Sequence, residues 1–281
     1  MAAPPLIDEN RRAPGGFHWL ALFWLLMPVI IFPAAANAAD DDKWPPHVPA
    51  AEGGGELSVG AGVSVDVTPY KNYETGVSFL PVIEYENDIF YFRDFTAGLK
   101  LFTPEPLEFS VFLAYDAHSF DPSDTTDPAL RHLNKRRESI LVGGRADWLS
   151  SAGLFRLSLA GDVSGHSHGF SGQLGYFMSI DLGTIEFTPQ AGVYWNSQKY
   201  NTYYYGLSAA ESRRSDLPAY EAEAAFTPYL GLAVDVVLDN EEHWEFFGAG
   251  EVSFLPSQVK NSPMVDRSNA YNLTTGVTYT F

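Results

Sequence analysis

The sequence predicts an all-β chain, an antiparallel transmembrane β-barrel placed behind a cleaved N-terminal signal. Two patterns carry this expectation. The chain closes on a strand, Tyr271 to Phe281, whose odd positions are apolar or aromatic except Thr275 and whose even positions are Asn, Thr or Gly. A terminal residue that anchors a period-2 pattern suits a barrel, where the last strand pairs with the first and leaves no open edge. The same alternation recurs along the chain, with Arg156, Ser158, Asp162, Gln173, Ser179, Thr227 and Asp235 on the polar faces. Charges on the inner face of many strands would ruin a sandwich core but suit a barrel lumen.

The N-terminus fits export. Arg11 and Arg12 precede an apolar run from Phe17 to Phe32, followed by Pro33 and the small residues Ala34–Ala38. This is the layout of a signal peptide cut after Ala38. The run is shorter than the ~20 residues of a spanning helix, and Pro28 interrupts it. Residues 39–55, rich in Asp, Pro, Ala and Gly, read as a flexible periplasmic lead-in, and 56–281 as the barrel. The chain contains no cysteine, so neither a lipidated Cys nor a disulfide framework is expected. Its formal net charge of −18 gives it no electrostatic footprint for nucleic acid.

Strand-like runs follow in order: 57–65, 77–85, 89–101, 107–115, 140–148, 155–163, 170–180, 185–195, 226–236, 244–254 and 271–281. Short connections at 150–153, 181–184 and 239–243 alternate with long polar ones at 117–137, 197–225 and 255–269. That asymmetry places short turns in the periplasm and long loops outside. Eleven runs break the parity required when both termini face one side. Either 89–101 hides two short strands that break near Arg93–Gly98, or 57–65 lies outside the wall; twelve strands are preferred to ten. Pro81, Pro189 and Pro228 interrupt strand runs and predict bulges or strand ends. Aromatics at Phe90/Tyr91/Phe92, Tyr194/Trp195, Trp244/Phe246/Phe247 and Tyr279/Phe281 read as interfacial girdles.

Candidate sites are few. Tyr200, Tyr203, Tyr204 and Tyr205, with Arg213, lie in the longest loop, and Met264 and Asp266 in a Pro-Met-Val-Asp segment. These residues either form a partner-binding surface or fold over the barrel mouth and pack among themselves. His166 and His168 flank a turn and are too few for a tight metal site. Ser139 or Ser167 with His132, His166 or His168 and Asp147 or Asp162 would be needed for hydrolysis, and no spacing links them. No catalytic residue, cofactor or metal is expected. The basic run Arg131–Arg137 reads either as a binder of lipopolysaccharide phosphates or as a partner of Asp121, Asp124 and Asp127.

Several stretches resemble the MltA-interacting protein family, also called the MipA/OmpV family. They include Gly60-Ala-Gly-Val63 with Pro69-Tyr-Lys-Asn-Tyr73, Phe79-Leu-Pro-Val-Ile-Glu-Tyr85, and Gly192-Val-Tyr-Trp-Asn-Ser197 through Tyr203-Tyr-Tyr-Gly206. Ser262-Pro-Met-Val-Asp266 and the terminal strand with Tyr279 and Phe281, the barrel-assembly signal, complete the match. The resemblance implies a non-enzymatic barrel of the bacterial outer membrane that scaffolds a lytic murein transglycosylase and a bifunctional penicillin-binding protein. Lipopolysaccharide and other outer-membrane lipids are the remaining expected partners. The alternatives are a small channel or surface adhesin, whose lumen charges Arg145, Asp147, Arg156, Asp162 and Asp235 pair to plug it, and a lipid A-modifying enzyme.

Overall fold

The computed structural model describes residues 55–93 and 95–281; the expected signal peptide and nearly all of the lead-in lie outside the described residues. Its strands are β1 (Glu56–Val67), β2 (Gly76–Glu86), β3 (Phe90–Arg93), β4 (Thr96–Phe102), β5 (Leu107–Asp116), β6 (Ser139–Ser150) and β7 (Gly153–Asp162). They continue with β8 (Phe170–Phe177), β9 (Ile180–Asp181), β10 (Ile185–Asn196), β11 (Ala225–Val237), β12 (Trp244–Phe254) and β13 (Asn269–Thr280). All pairings are antiparallel. β9 continues β8 along the same partner, β10, so the thirteen segments make twelve staves of a wall.

The wall closes where the terminal strand predicts. β13 pairs with β1 from Thr280 opposite Ser58 to Tyr271 opposite Val67, and Phe281 N donates to Leu57 O at 3.0 Å. The parity problem resolves by the first of the two routes: the 89–101 run is the hairpin β3–β4, and β1 belongs to the wall.

Period 2 decides which side chains meet lipid. Leu157, Leu159, Leu174, Leu230 and Leu232 are exposed outward, while Arg156, Ser158, Gln173 and Thr227 on the same strands are buried inward. The aromatic groups split by the same rule. Trp244 and Phe246 do not share a face with Phe247, because neighbours on a strand point to opposite sides. Phe247, Tyr194 and Tyr91 turn inward and are buried, so only the outward members of each group can belong to a girdle.

None of the three prolines marks a shift of register. The one shift in the ladders lies between Lys100 and Phe102. Pro189 faces the break between β8 and β9, and Pro228 lies one residue beyond the end of the β11–β12 ladder. Pro81 lies on a part of β2 that β3 does not reach. All three lie inside strands and so mark neither a bulge nor a strand end; a residue without an N–H is tolerated there because the ladder on one side offers no acceptor.

Inward side chains fill the barrel. Asp147 stands between two arginines, with Arg156 Nε and Nη2 donating to it at 2.8 and 2.7 Å and Arg145 in an ion pair with it at 3.2 Å. Arg145 lies over the Tyr91 ring and Arg156 over Phe177. Tyr194 stacks on Tyr229 at 4.3 Å, donates to Glu251, and leaves Tyr229 to accept from Gln173. Two of the charges expected to take part do otherwise. Asp162 organises the 163–169 turn by accepting from the main-chain N–H of Ser164, Gly165, Ser167 and His168. Asp235 lies directly opposite Glu186 on the neighbouring strand.

Candidate functional site

The long-loop end of the barrel carries a packed lid. Two helices, α1 (Gln198–Tyr205) and α2 (Ala209–Ser215), occupy the 197–224 connection, which the sequence reading treats as a loop. Ser197 caps α1 by accepting from Tyr200 N, and its Oγ also accepts from Phe170 N at 2.9 Å, which ties the helix start to the top of β8. Tyr200 and Tyr204 share one face of α1, as the i, i+4 spacing dictates, and with Tyr205 at the end of the helix they are buried in the mouth.

Beneath α1 the tyrosines meet a histidine. Tyr205 OH and Tyr70 OH lie 3.1 and 3.3 Å from His118 Nε2, and the Tyr204 ring packs edge-on against the imidazole at 4.2 Å. Tyr200 OH donates to Asp116 Oδ2 at 2.9 Å, and Asp116 Oδ1 accepts from His118 N. Burial pulls the His118 imidazole down to about 3, so it is neutral. Burial also raises the hydroxyls of Tyr70, Tyr200 and Tyr205 well above the usual phenol range.

The other loops lock onto this centre. Met264 is fully buried beside Tyr205 and Val259, and Ser262 Oγ donates to Tyr205 O at 2.6 Å. Lys71 N donates to Met264 O and Asp266 N to Pro69 O. α2 is fixed by a capping box in which Ser208 Oγ accepts from Glu211 N, while Ser208 N donates to Glu211 Oε2. Glu211 also accepts from Asn134 N at 3.0 Å and Arg136 Nη2 at 2.8 Å. Burial alone would raise Glu211; the Asn134 hydrogen bond, the Arg136 charge and Ser208 overcome it and hold the carboxyl at about 2.

The candidate residues therefore divide. Tyr200, Tyr204, Tyr205 and Met264 are buried in the lid, so for them the structure takes the self-packing alternative. Arg213 and Asp266 are exposed, and Tyr203 is half-buried. Tyr203 forms the ridge between two open grooves of about 720 and 550 Å³, one beside Arg136 and Tyr220 and the other beside His168 and Lys199. Three side chains of the basic run are used internally: Lys135 pairs with Asp121 at 2.9 Å, Arg131 Nε donates to Thr125 O, and Arg136 pairs with Glu211. His166 Nδ1 lies 2.6 Å from Glu138 O, and Ser167 Oγ donates to Asp162. Ser139 Oγ is 3.2 Å from Tyr204 OH. These contacts assemble no Ser–His–Asp relay.

Comparison with known proteins decides the lineage. The profile of the family described as MltA-interacting protein MipA matches residues 59–281. The chain belongs to that family. It is 35% identical over 227 residues to the MltA-interacting protein of Escherichia coli K12, covering 81% of this chain and 91% of the relative. Identity is also 35% over 226 residues to the putative outer membrane protein YiaT of the same strain, covering 80% and 91%. The OmpV outer membrane protein of Vibrio cholerae is 28% identical over 169 residues, covering 60% and 62%. Among solved structures, the translocator domain of autotransporter NalP from Neisseria meningitidis is similar with a TM-score of 0.43 and 11% identity, covering 81% of this chain and 88% of that one. The MipA-family barrel described above is thus a bacterial outer-membrane protein.

Proposed function

We propose that this protein is a non-enzymatic scaffold in the outer membrane that holds murein-cleaving and murein-synthesising enzymes near the wall they remodel. Membership of the MipA family and the name of its E. coli relative support a lytic murein transglycosylase as the first partner. A bifunctional penicillin-binding protein is the second, by the same resemblance. The observation that carries a structural role over a conducting one is the filled lumen, with Asp147 clamped between Arg145 and Arg156 below a lid of buried tyrosines. The periplasmic face offers such enzymes the 182–184 and 238–243 turns. Crosslinking in native envelopes followed by purification of the full chain is expected to recover a transglycosylase. Recovery of neither enzyme class contradicts the proposal.

A second reading is favoured by one observation. The two grooves flanking Tyr203, with Arg213 exposed nearby, form a concave extracellular surface suited to a surface ligand. Binding of cells carrying a Tyr203→Ala, Arg213→Ala variant to host or partner surfaces tests it; unchanged adhesion contradicts this reading and leaves the scaffold untouched. Lipopolysaccharide and other lipids of the outer membrane surround both.

A further inference from the structure

One part of the wall is unbuilt. A transmembrane strand needs about 9–11 residues, and β3 has 4. Among the described residues β3 is in register with β2 at Tyr85–Phe92 and Glu86–Tyr91, whereas β2 runs on along β1 as far as Gly76. Above the β3–β4 hairpin, the Gly76–Pro81 stretch of β2 is therefore a sheet edge, roughly 20 Å long at the usual strand rise. The 68–75 and 117–138 loops close the notch from above, through the Tyr73–Thr125 bridge and Glu74 N donating to Asp124 O at 3.0 Å.

The direction of the edge groups can be read. Asn87 N donates to Phe90 O, so main-chain groups of odd-numbered residues on β2 face the β3 side. The β1–β2 register holds without a shift from Glu86 to Gly76, which carries the phase to Val77, Phe79 and Pro81. Among the described residues, these three make no main-chain hydrogen bond on that side. The side chains of Val77 and Phe79 are 68% and 74% exposed, and they are in register with the outward Val65 and Val63 of β1. This edge therefore lies in the apolar band.

An open sheet edge bathed in hydrocarbon is not stable, because each unpaired group costs several kcal/mol. A partner's strand would satisfy it, but Pro81 removes one of the three donors of the free side, the arrangement that protects edges from strand addition. An amphiphile meets both demands. We propose that the notch between β2 and the β3–β4 hairpin is a binding site for lipid A, whose acyl chains carry amide and hydroxyl groups. The acyl body packs on Val77 and Phe79, while its amide and hydroxyl groups bond the main chain of Val77, Phe79 and Pro81. The site concerns the lipid-facing wall and does not depend on murein partners.

The test uses the full chain in nanodiscs of phosphatidylethanolamine and phosphatidylglycerol, with and without lipid A. Lipid A is expected to slow amide exchange across 76–81 by roughly tenfold, as a gained hydrogen bond would, with β11 unchanged. Equal rates in the two membranes overturn the proposal. So does protection seen only in native envelopes and lost on purification in both membranes, which would assign the edge to a polypeptide strand. Native mass spectrometry of protein extracted from outer membranes gives a second readout. Phe79→Ala is expected to lose retained lipid A while Leu232→Ala, outward on a strand paired along both edges, keeps it; equal retention by the two contradicts the site.

Discussion

Arg136 and Glu211 form a buried ion pair, 2.8 Å from Nη2 to Oε1, that joins the 117–138 loop to the capping box of α2. Arg136 Nη2 also donates to Gly206 O, the residue that ends α1, so one guanidinium holds three pieces of the lid.

Removing one partner should open the lid rather than the barrel. Glu211→Ala leaves Arg136 buried without its carboxylate, a loss of about 3–5 kcal/mol for a buried pair broken on one side. The expected result is fast proteolysis within 197–224, with an unchanged heat-modifiable gel shift of the barrel. Glu211→Gln, which keeps the cap geometry, should lie between.

His118 should make the same lid sensitive to acid. His118 is held near 3, below its ordinary 6.5, so the lid favours the neutral ring. Its contribution is present in full above 6.5 and falls by about 1.4 kcal/mol per pH unit toward 3. Glu211, held at about 2 against an ordinary 4.5, adds a loss in the same direction below 4.5. Exchange of the 198–205 amides should therefore accelerate more between pH 7 and pH 4 in the wild-type chain than in His118→Gln.

Phe247 covers Gly276 and Gly62 inside the barrel. A Cβ on Gly276 would overlap the Phe247 ring and Ala61 O. Gly276→Val should therefore cost about 1–3 kcal/mol through overpacking, read as a lower unfolding temperature in detergent.

Phe281 is 73% exposed, and its side chain packs on Tyr279 at the end of β13. Removing it takes away little buried area. Deletion of Phe281 is expected to reduce the amount of barrel reaching the outer membrane, while refolded protein keeps wild-type stability. A matching loss of stability would make Phe281 a structural residue instead of an assembly signal.

The wall was legible because lipid imposes period 2 on every strand, and Phe155, Leu157 and Leu159 state it plainly. The 89–101 break was legible only through failed parity. Its turn carries Phe95 at φ 57°, a conformation that glycine usually marks and phenylalanine hides. The lid helices were missed although Ser208-Ala-Ala-Glu211 spells a capping box, because α2 has no apolar periodicity long enough to announce it. His118 was not singled out at all. Its role comes from Tyr70 and Tyr205, 48 and 87 residues away, and no local pattern encodes that convergence.

The central claim is a filled barrel that holds partners and passes nothing. Planar-bilayer recording of the purified full chain tests it most directly, with Asp147→Ala as the comparison that releases Arg145 and Arg156. The wild-type protein is expected to give no steady conductance; a stable, ohmic open pore would contradict the account.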